Sequence, residues 1–165
     1  MAKRPSHSDF DSYYQALHQE RWPALRASLL RERSPIALRE GLTGPYWLDE
    51  ASLLAAQSLS VEKGDAVLDM CAAPGGKTLV LALALDGTGT LTANDRSADR
   101  RARLRRVIAD HLDERLRAPI TVTSHDATKW SLYERDAYDK ILLDAPCSSE
   151  RHVLTDEKAL RAWSP

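Results

Sequence analysis

Four aspartates and one loop of small residues carry the chemistry that this chain can offer. Asp69, Asp95, Asp126 and Asp144 each stand at or just beyond the end of a short apolar or β-branched run, and Cys71-Ala72-Ala73-Pro74-Gly75-Gly76-Lys77-Thr78 lies between the first two. An acid at the end of a buried strand is placed to accept hydrogen bonds from ribose hydroxyls, and a turn of small residues lets a ligand approach the backbone. Asp95 stands nineteen residues beyond Gly76, where dinucleotide-type folds carry their ribose acceptor. Asp126 is then placed to face an adenine ring or its amino group. Cys147, behind Pro146 and close to Asp144, is a candidate nucleophile, its reactivity set by how far its surroundings ionise the thiol. Each acid alone reads equally well as a loop cap. Their order along the chain is what favours a ligand.

The loop admits two readings. A phosphate-binding P-loop follows G-x-x-x-x-G-K-[ST]. Gly76-Lys77-Thr78 fits the end of that pattern, and Ile141-Leu142-Leu143-Asp144 imitates the strand and acid that hold magnesium. The match fails at its first position, where residue 71 is cysteine, and Pro74 removes a donor from a loop whose N–H groups should cradle phosphate. The other reading is the cofactor loop of a class I S-adenosylmethionine-dependent methyltransferase, with small residues against the methionine part and the two glycines allowing the sharp turn into a helix.

Leu68-Asp69-Met70-Cys71-Ala72-Ala73-Pro74-Gly75-Gly76-Lys77-Thr78 resembles the cofactor motif of the Sun (Fmu) family of RNA cytosine-C5 methyltransferases. Leu142-Leu143-Asp144-Ala145-Pro146-Cys147-Ser148 is similar to that family's Asp-Ala-Pro-Cys-Ser motif, and Tyr46-Trp47-Leu48-Asp49-Glu50-Ala51-Ser52 to the segment ahead of its catalytic domain. The resemblance covers about residues 40–152. It implies S-adenosyl-L-methionine as cofactor, held by Cys71, Ala72, Ala73, Pro74, Gly75, Gly76, Lys77, Asp95, Asp126 and Asp144, and an RNA substrate, rRNA or tRNA. In the chemistry it implies, a thiolate adds to C6 of cytosine, C5 takes the methyl group, a base removes the C5 proton and the thiol leaves. Asp144 is expected at the cofactor's amino group or at cytosine N3. Cys147, read alone, is the obvious nucleophile. The resemblance instead puts the attacking thiol in a Thr-Cys motif, which does not occur here, and gives Cys147 product release. Ser148-Ser149-Glu150-Arg151-His152 departs from the family's glycine-bearing version of that loop. The alternative function is a catalytically inactive remnant that binds cofactor or RNA.

These residues need a sheet to bring them together. Ala66–Met70, Thr90–Asn94, Ile120–Thr123 and Lys140–Leu143 read as four strands, alternating with helices over Leu79–Leu85 and from a Ser97 cap through Leu116. Alternation of this kind predicts an α/β fold, a Rossmann-like class I methyltransferase core with about four parallel strands. The expected division is a helical N-terminal segment over 1–60 and a partial S-adenosylmethionine-binding domain over 61–165. Within the first segment, Pro23 should split two helices, residues 34–47 should form a loop, and Asp49 should cap a helix through about Leu59. The resemblance implies a wider sheet than four strands, so the last strand is expected to expose an apolar edge and the chain reads as truncated.

Composition fits one ordinary domain: 165 residues, 43% hydrophobic, 28% charged. No apolar run is long enough for a bilayer, no secretory signal is visible, and two cysteines outside any disulfide-dense pattern suggest a cytoplasmic location. A net charge of −1 is not the bulk footprint of a nucleic-acid binder. Arg96, Arg100, Arg101, Arg103, Arg105 and Arg106 crowd one stretch, either as a solvated helix face or as an RNA-facing patch. The five histidines show no metal-ligand spacing. Trp22, Trp47, Trp130 and Trp163 are expected in the core rather than stacked on bases.

Overall fold

The computed structural model describes residues 7–146 and 149–164, so Cys147 and Ser148 lie outside the described residues. In chain order the elements are α1 (His7–His18), α2 (Trp22–Leu30), β1 (Ile36–Leu38), β2 (Tyr46–Leu48), α3 (Glu50–Gln57), β3 (Ala66–Asp69), α4 (Gly76–Leu85), β4 (Thr90–Asn94), α5 (Ala98–His111), α6 (Glu114–Arg117), β5 (Ile120–Thr123), β6 (Lys140–Leu142), α7 (Glu150–Thr155) and α8 (Glu157–Ala162). Short 3-10 turns over Gln19–Arg21 and Ala127–Leu132 complete the set.

The chain divides into two compact units, one spanning Ser34–Pro146 and the other combining residues up to Arg33 with those beyond Pro146. The line expected at residue 60 therefore differs from where the contacts divide: β1, β2 and α3 belong with the sheet.

In the larger unit β5-β4-β3-β6 form one parallel sheet in that order. Val67 and Leu68 of β3 are fully buried, as suits a strand covered on both faces. The chain runs outward from β3 through β4 to β5, then returns to lay β6 against the other side of β3. That reversal makes the carboxyl ends of β3 and its neighbours a topological switch point, where open α/β sheets hold their ligands. Helix α4 is apolar on nearly every side and buries Leu79, Val80, Leu81, Ala82 and Leu85. Ser97 caps α5 as expected, accepting from the Arg100 N–H at 3.4 Å, while Leu104 and Ile108 face the core. The helix does not continue to Leu116. It stops at His111, and Asp113 starts α6 by accepting from Leu116 N–H at 2.8 Å, so Leu112 and Leu116 stay buried on two short elements.

Residues 34–47, expected as a loop, contain most of an antiparallel ribbon that pairs Ile36 with Leu48 and Leu38 with Tyr46. Its turn closes the end of α5: Thr43 donates from its N–H to the His111 carbonyl (3.0 Å) and from Oγ1 to the Asp110 carbonyl (2.7 Å). Those carbonyls have no partner within the helix, and the turn supplies one. Asp49 stands at the N-cap of α3, but its carbonyl, not its side chain, accepts from Ser52 and Leu53.

The smaller unit is helical. Pro23 sits in the first turn of α2, as expected. Phe10 is fully buried against Tyr14 (ring centroids 4.6 Å apart), Trp163 (5.0 Å) and Trp22 (6.0 Å), with Val153, Leu154 and Leu160 completing the core. Asp11 accepts from Trp22 Nε1 at 3.1 Å and Arg26 Nε at 2.8 Å, tying α1 to α2.

Candidate active site

The loop after β3 is built to keep the backbone bare. Gly75 has φ +121°, a region that side chains rarely adopt, and a Cβ there would stand 2.9 Å from Val107 Cγ1. A Cβ on Gly76 would meet the Tyr46 ring at 2.9 Å. The two glycines let the chain turn into α4 while α5 packs on one side and β2 on the other. Behind the turn, Asp69 is almost fully buried and accepts from Thr78 Oγ1 at 2.8 Å. Burial pushes its carboxyl up to about 6, partly offset by the Thr78 hydrogen bond and the nearby Lys77 charge.

Asn94 ties the loops together. Its amide donates to the carbonyls of Met70 (3.0 Å) and His125 (3.1 Å), and its oxygen accepts from Thr123 Oγ1 (2.9 Å) and His125 N–H (2.8 Å). The buried side chain thereby joins the ends of β3, β4 and β5 with four hydrogen bonds. Sequence reasoning passed over Asn94, since an asparagine closing a strand has the same signature as a turn former.

Two cavities flank this frame and share Cys71. One, about 250 Å³, is lined by Asp95, Arg96, Arg100, His125, Asp126 and their neighbours. The other, about 350 Å³, is lined by Tyr46, Trp47, Ser52, Ala72, Lys77, Arg103, Asp144 and the rest of the small-residue loop. The expected site residues thus gather at one sheet edge, with two qualifications. Gly75 lines neither cavity and instead shapes the turn. Cys147 lies outside the described residues.

In the first cavity Asp95 Oδ1 accepts from Ser97 N–H at 2.9 Å. Its buried Oδ2 accepts no hydrogen bond among the described residues, although Arg100 Nε stands 3.4 Å away. Arg100 is held by the Ala73 carbonyl, to which it donates at 2.6 Å. Asp126 uses Oδ1 to accept from Thr128 N–H and Oγ1, which holds its carboxyl below the usual range, and Oδ2 lies 3.4 Å from Arg96. In the second cavity Lys77 Nζ pairs with Asp144 at 2.7 Å and donates to Ser52 Oγ at 3.1 Å. Burial, followed by the Asp95 charge, pushes the Cys71 thiol upward, so it stays protonated near neutrality and is unsuited to attack.

Part of the arginine run forms the solvated helix face, one of its two expected roles, and part braces the neighbouring loops. Arg101 donates to the Asp95 and Arg96 carbonyls, each at 2.7 Å, and Arg100 braces the loop, while Arg103, Arg105 and Arg106 are exposed. Of the tryptophans, Trp22 and Trp130 are buried and Trp163 packs on Phe10, but Trp47 is 57% exposed. Among the described residues no helix is long and apolar enough to cross a membrane.

The chain is 46% identical over 120 residues to 5-cytosine rRNA methyltransferase NSUN4 of Bos taurus, a match covering 72% of this chain and 31% of the relative. It is 37% identical over 129 residues to ribosomal RNA small subunit methyltransferase F of Shewanella piezotolerans, covering 75% of this chain and 26% of the relative. The chain thus spans about a third or less of the length of these relatives. The crystal structure of NSun6 from Pyrococcus horikoshii with SFG, an analogue of S-adenosylmethionine, superposes with a TM-score of 0.58 at 31% identity, covering 73% of this chain and 29% of that one. The sequence profile of the family described as 16S rRNA methyltransferase RsmB/F matches residues 56–163, and the chain belongs to that family.

Proposed function

We propose that this chain is the cofactor-binding part of an S-adenosylmethionine-dependent RNA cytosine-C5 methyltransferase acting on rRNA or tRNA. The observation that carries the reading is Asp95 at the end of β4, which lines a cavity and whose buried Oδ2 accepts no hydrogen bond among the described residues, its nearest cation being Arg100 Nε at 3.4 Å. A buried acceptor left without a hydrogen bond is costly, and a ribose hydroxyl is a donor of the right kind. From there the shared Cys71 leads to the bare loop and the Lys77–Asp144 pair, where the methionine end would lie. Asp126 keeps an oxygen for an adenine amino group beside Arg96. S-adenosylmethionine would supply the methyl group. This chain's own residues orient the cofactor, and Asp144, fixed by Lys77, offers an acceptor or a proton site to the base being modified. Cys147 follows Asp144 by three residues and is proposed as a catalytic thiol beside that base, in attack or in product release. A reducing, cytoplasm-like compartment suits a site that depends on free thiols.

Calorimetry with S-adenosylmethionine and its demethylated product tests this. Both should bind the intact chain, and Asp95→Ala should cost about 1–3 kcal/mol, the worth of a hydrogen bond to a charged group. ATP with magnesium should bind far more weakly, because Cys71 and Pro74 spoil the loop for phosphate. Tight ATP binding with no affinity for S-adenosylmethionine would sink the proposal.

A further inference from the structure

Trp47 faces away from the core for a reason internal to β2. Side chains alternate along a strand, and Leu48 is buried while the Tyr46 ring packs over Gly76, so Trp47 is turned outward. Its ring is 57% exposed at a wall of the cavity that holds Lys77 and Asp144. The Arg39 guanidinium lies 5.9 Å from the ring centroid. Arg103 reaches the same cavity from α5, is exposed, and forms no ion pair with a carboxylate among the described residues. Lys77 differs in that Asp144 already neutralises it.

The cavity therefore offers an aromatic ring with a planar cation over one face, the other face left for a base, and a second, uncommitted cation nearby. That combination matches an unpaired nucleotide, whose base stacks on the ring and whose phosphate meets a guanidinium. With Asp144 paired to Lys77, Asp49 is left in the same lining to repel a phosphate, which favours placing the backbone of a bound strand against the arginines. We propose that Trp47 is the stacking platform for the nucleotide flanking the target cytosine in single-stranded RNA, with Arg103 taking its phosphate. The assignment rests on the RNA methyltransferase reading above.

The test uses the intact chain saturated with the demethylated cofactor and a labelled, cytosine-containing single-stranded RNA followed by fluorescence anisotropy. Trp47→Ala should weaken RNA binding about tenfold and Trp47→Phe should restore it to within about threefold, because stacking needs a ring and not an indole N–H. Arg103→Gln should make the salt dependence of binding shallower, by roughly the slope of one phosphate contact. Cofactor affinity, read by calorimetry on the same samples, should change far less than RNA affinity in every variant, since among the described residues both side chains line the cavity without an ion pair or hydrogen bond to the loop. RNA binding by Trp47→Ala within twofold of the parent overturns the proposal. So does a loss of cofactor affinity that parallels the loss of RNA affinity, since Trp47 would then be supporting the fold or the cofactor pocket. A parent chain that binds cofactor but no RNA overturns the platform and leaves the cofactor reading intact. A parent that binds neither overturns both.

Discussion

Asp69 shows how a single buried acid sets a pH dependence. Its folded-state value of about 6 lies above the ordinary 3.8, because burial disfavours the charge more than Thr78 and Lys77 favour it. Between those values the folded state binds more protons than the unfolded one, so the contribution of Asp69 to stability is fully present below about pH 4 and is lost as the pH rises through 6. At pH 8 the ionised group costs on the order of 3 kcal/mol relative to its protonated form. Asp69→Asn keeps an oxygen for Thr78 and removes the charge. The variant should match the parent near pH 4 and exceed it in stability at pH 8, by up to that amount. Urea unfolding at the two pH values checks this, and a parent–variant difference that does not change with pH would refute it. The aspartates were legible in the sequence because an acid closing an apolar run is a recognisable pattern. Asn94, Arg100 and Ser52 were not, because their roles depend on partners 24 to 31 positions away across the fold.

Among the elements, the four parallel strands and α4 could be read directly, since β3, β6 and α4 carry apolar runs and β4 and β5 are rich in β-branched residues. The ribbon of β1 and β2 could not, because three-residue strands are too short to display alternation and the prolines and glycines around them signal a loop. The split between α5 and α6 was hidden for a related reason: Leu112 and Leu116 keep the helical spacing while Asp113 breaks the backbone. The junction of β3 and α4 makes a sharper demand. Gly75→Ala would combine a strained positive φ with a methyl group 2.9 Å from Val107, and should destabilise the protein by about 2–5 kcal/mol. Cofactor affinity should fall with it, because Arg100 donates to the neighbouring Ala73 carbonyl and the loop cannot shift alone. A variant with an unchanged melting temperature would show that the turn is more compliant than its geometry indicates.

At the scale of the molecule, the described residues form two apolar cores. One runs from Leu48 to Leu142 around the sheet, and the other gathers Phe10, Trp22, Val153, Leu154 and Leu160. The sequence pattern indicated the helical character of the N-terminal segment but neither the helices α7 and α8 nor the core they share with it, since periodicity within a helix says nothing about its distant partner. Phe10→Ala should cost the helical unit about 3–5 kcal/mol and collapse the near-ultraviolet circular dichroism of the Phe10–Tyr14–Trp22–Trp163 cluster. Affinity for S-adenosylmethionine should stay within about twofold of the parent, because none of the cavity residues draws on that core. A cofactor affinity that falls in step with the dichroism would show that the two cores act as one.

The strand order also sets an order in time. The pairing of β3 with β4 joins Ala66 to Thr90, whereas the pairing of β3 with β6 joins Val67 to Lys140 across 73 positions. Closing the longer loop costs about 1 kcal/mol more chain entropy, and it is rewarded by a three-residue edge ladder. Strand β6 should therefore dock after the other three have assembled and detach before them. Deuterium should enter the Met70 amide, which donates to the Leu142 carbonyl at 2.9 Å, before it enters the amides of β4. Each such opening carries Asp144 away from Lys77, so the pair proposed to face the base would be dismantled and rebuilt while Asp95, the proposed ribose acceptor, stays in place.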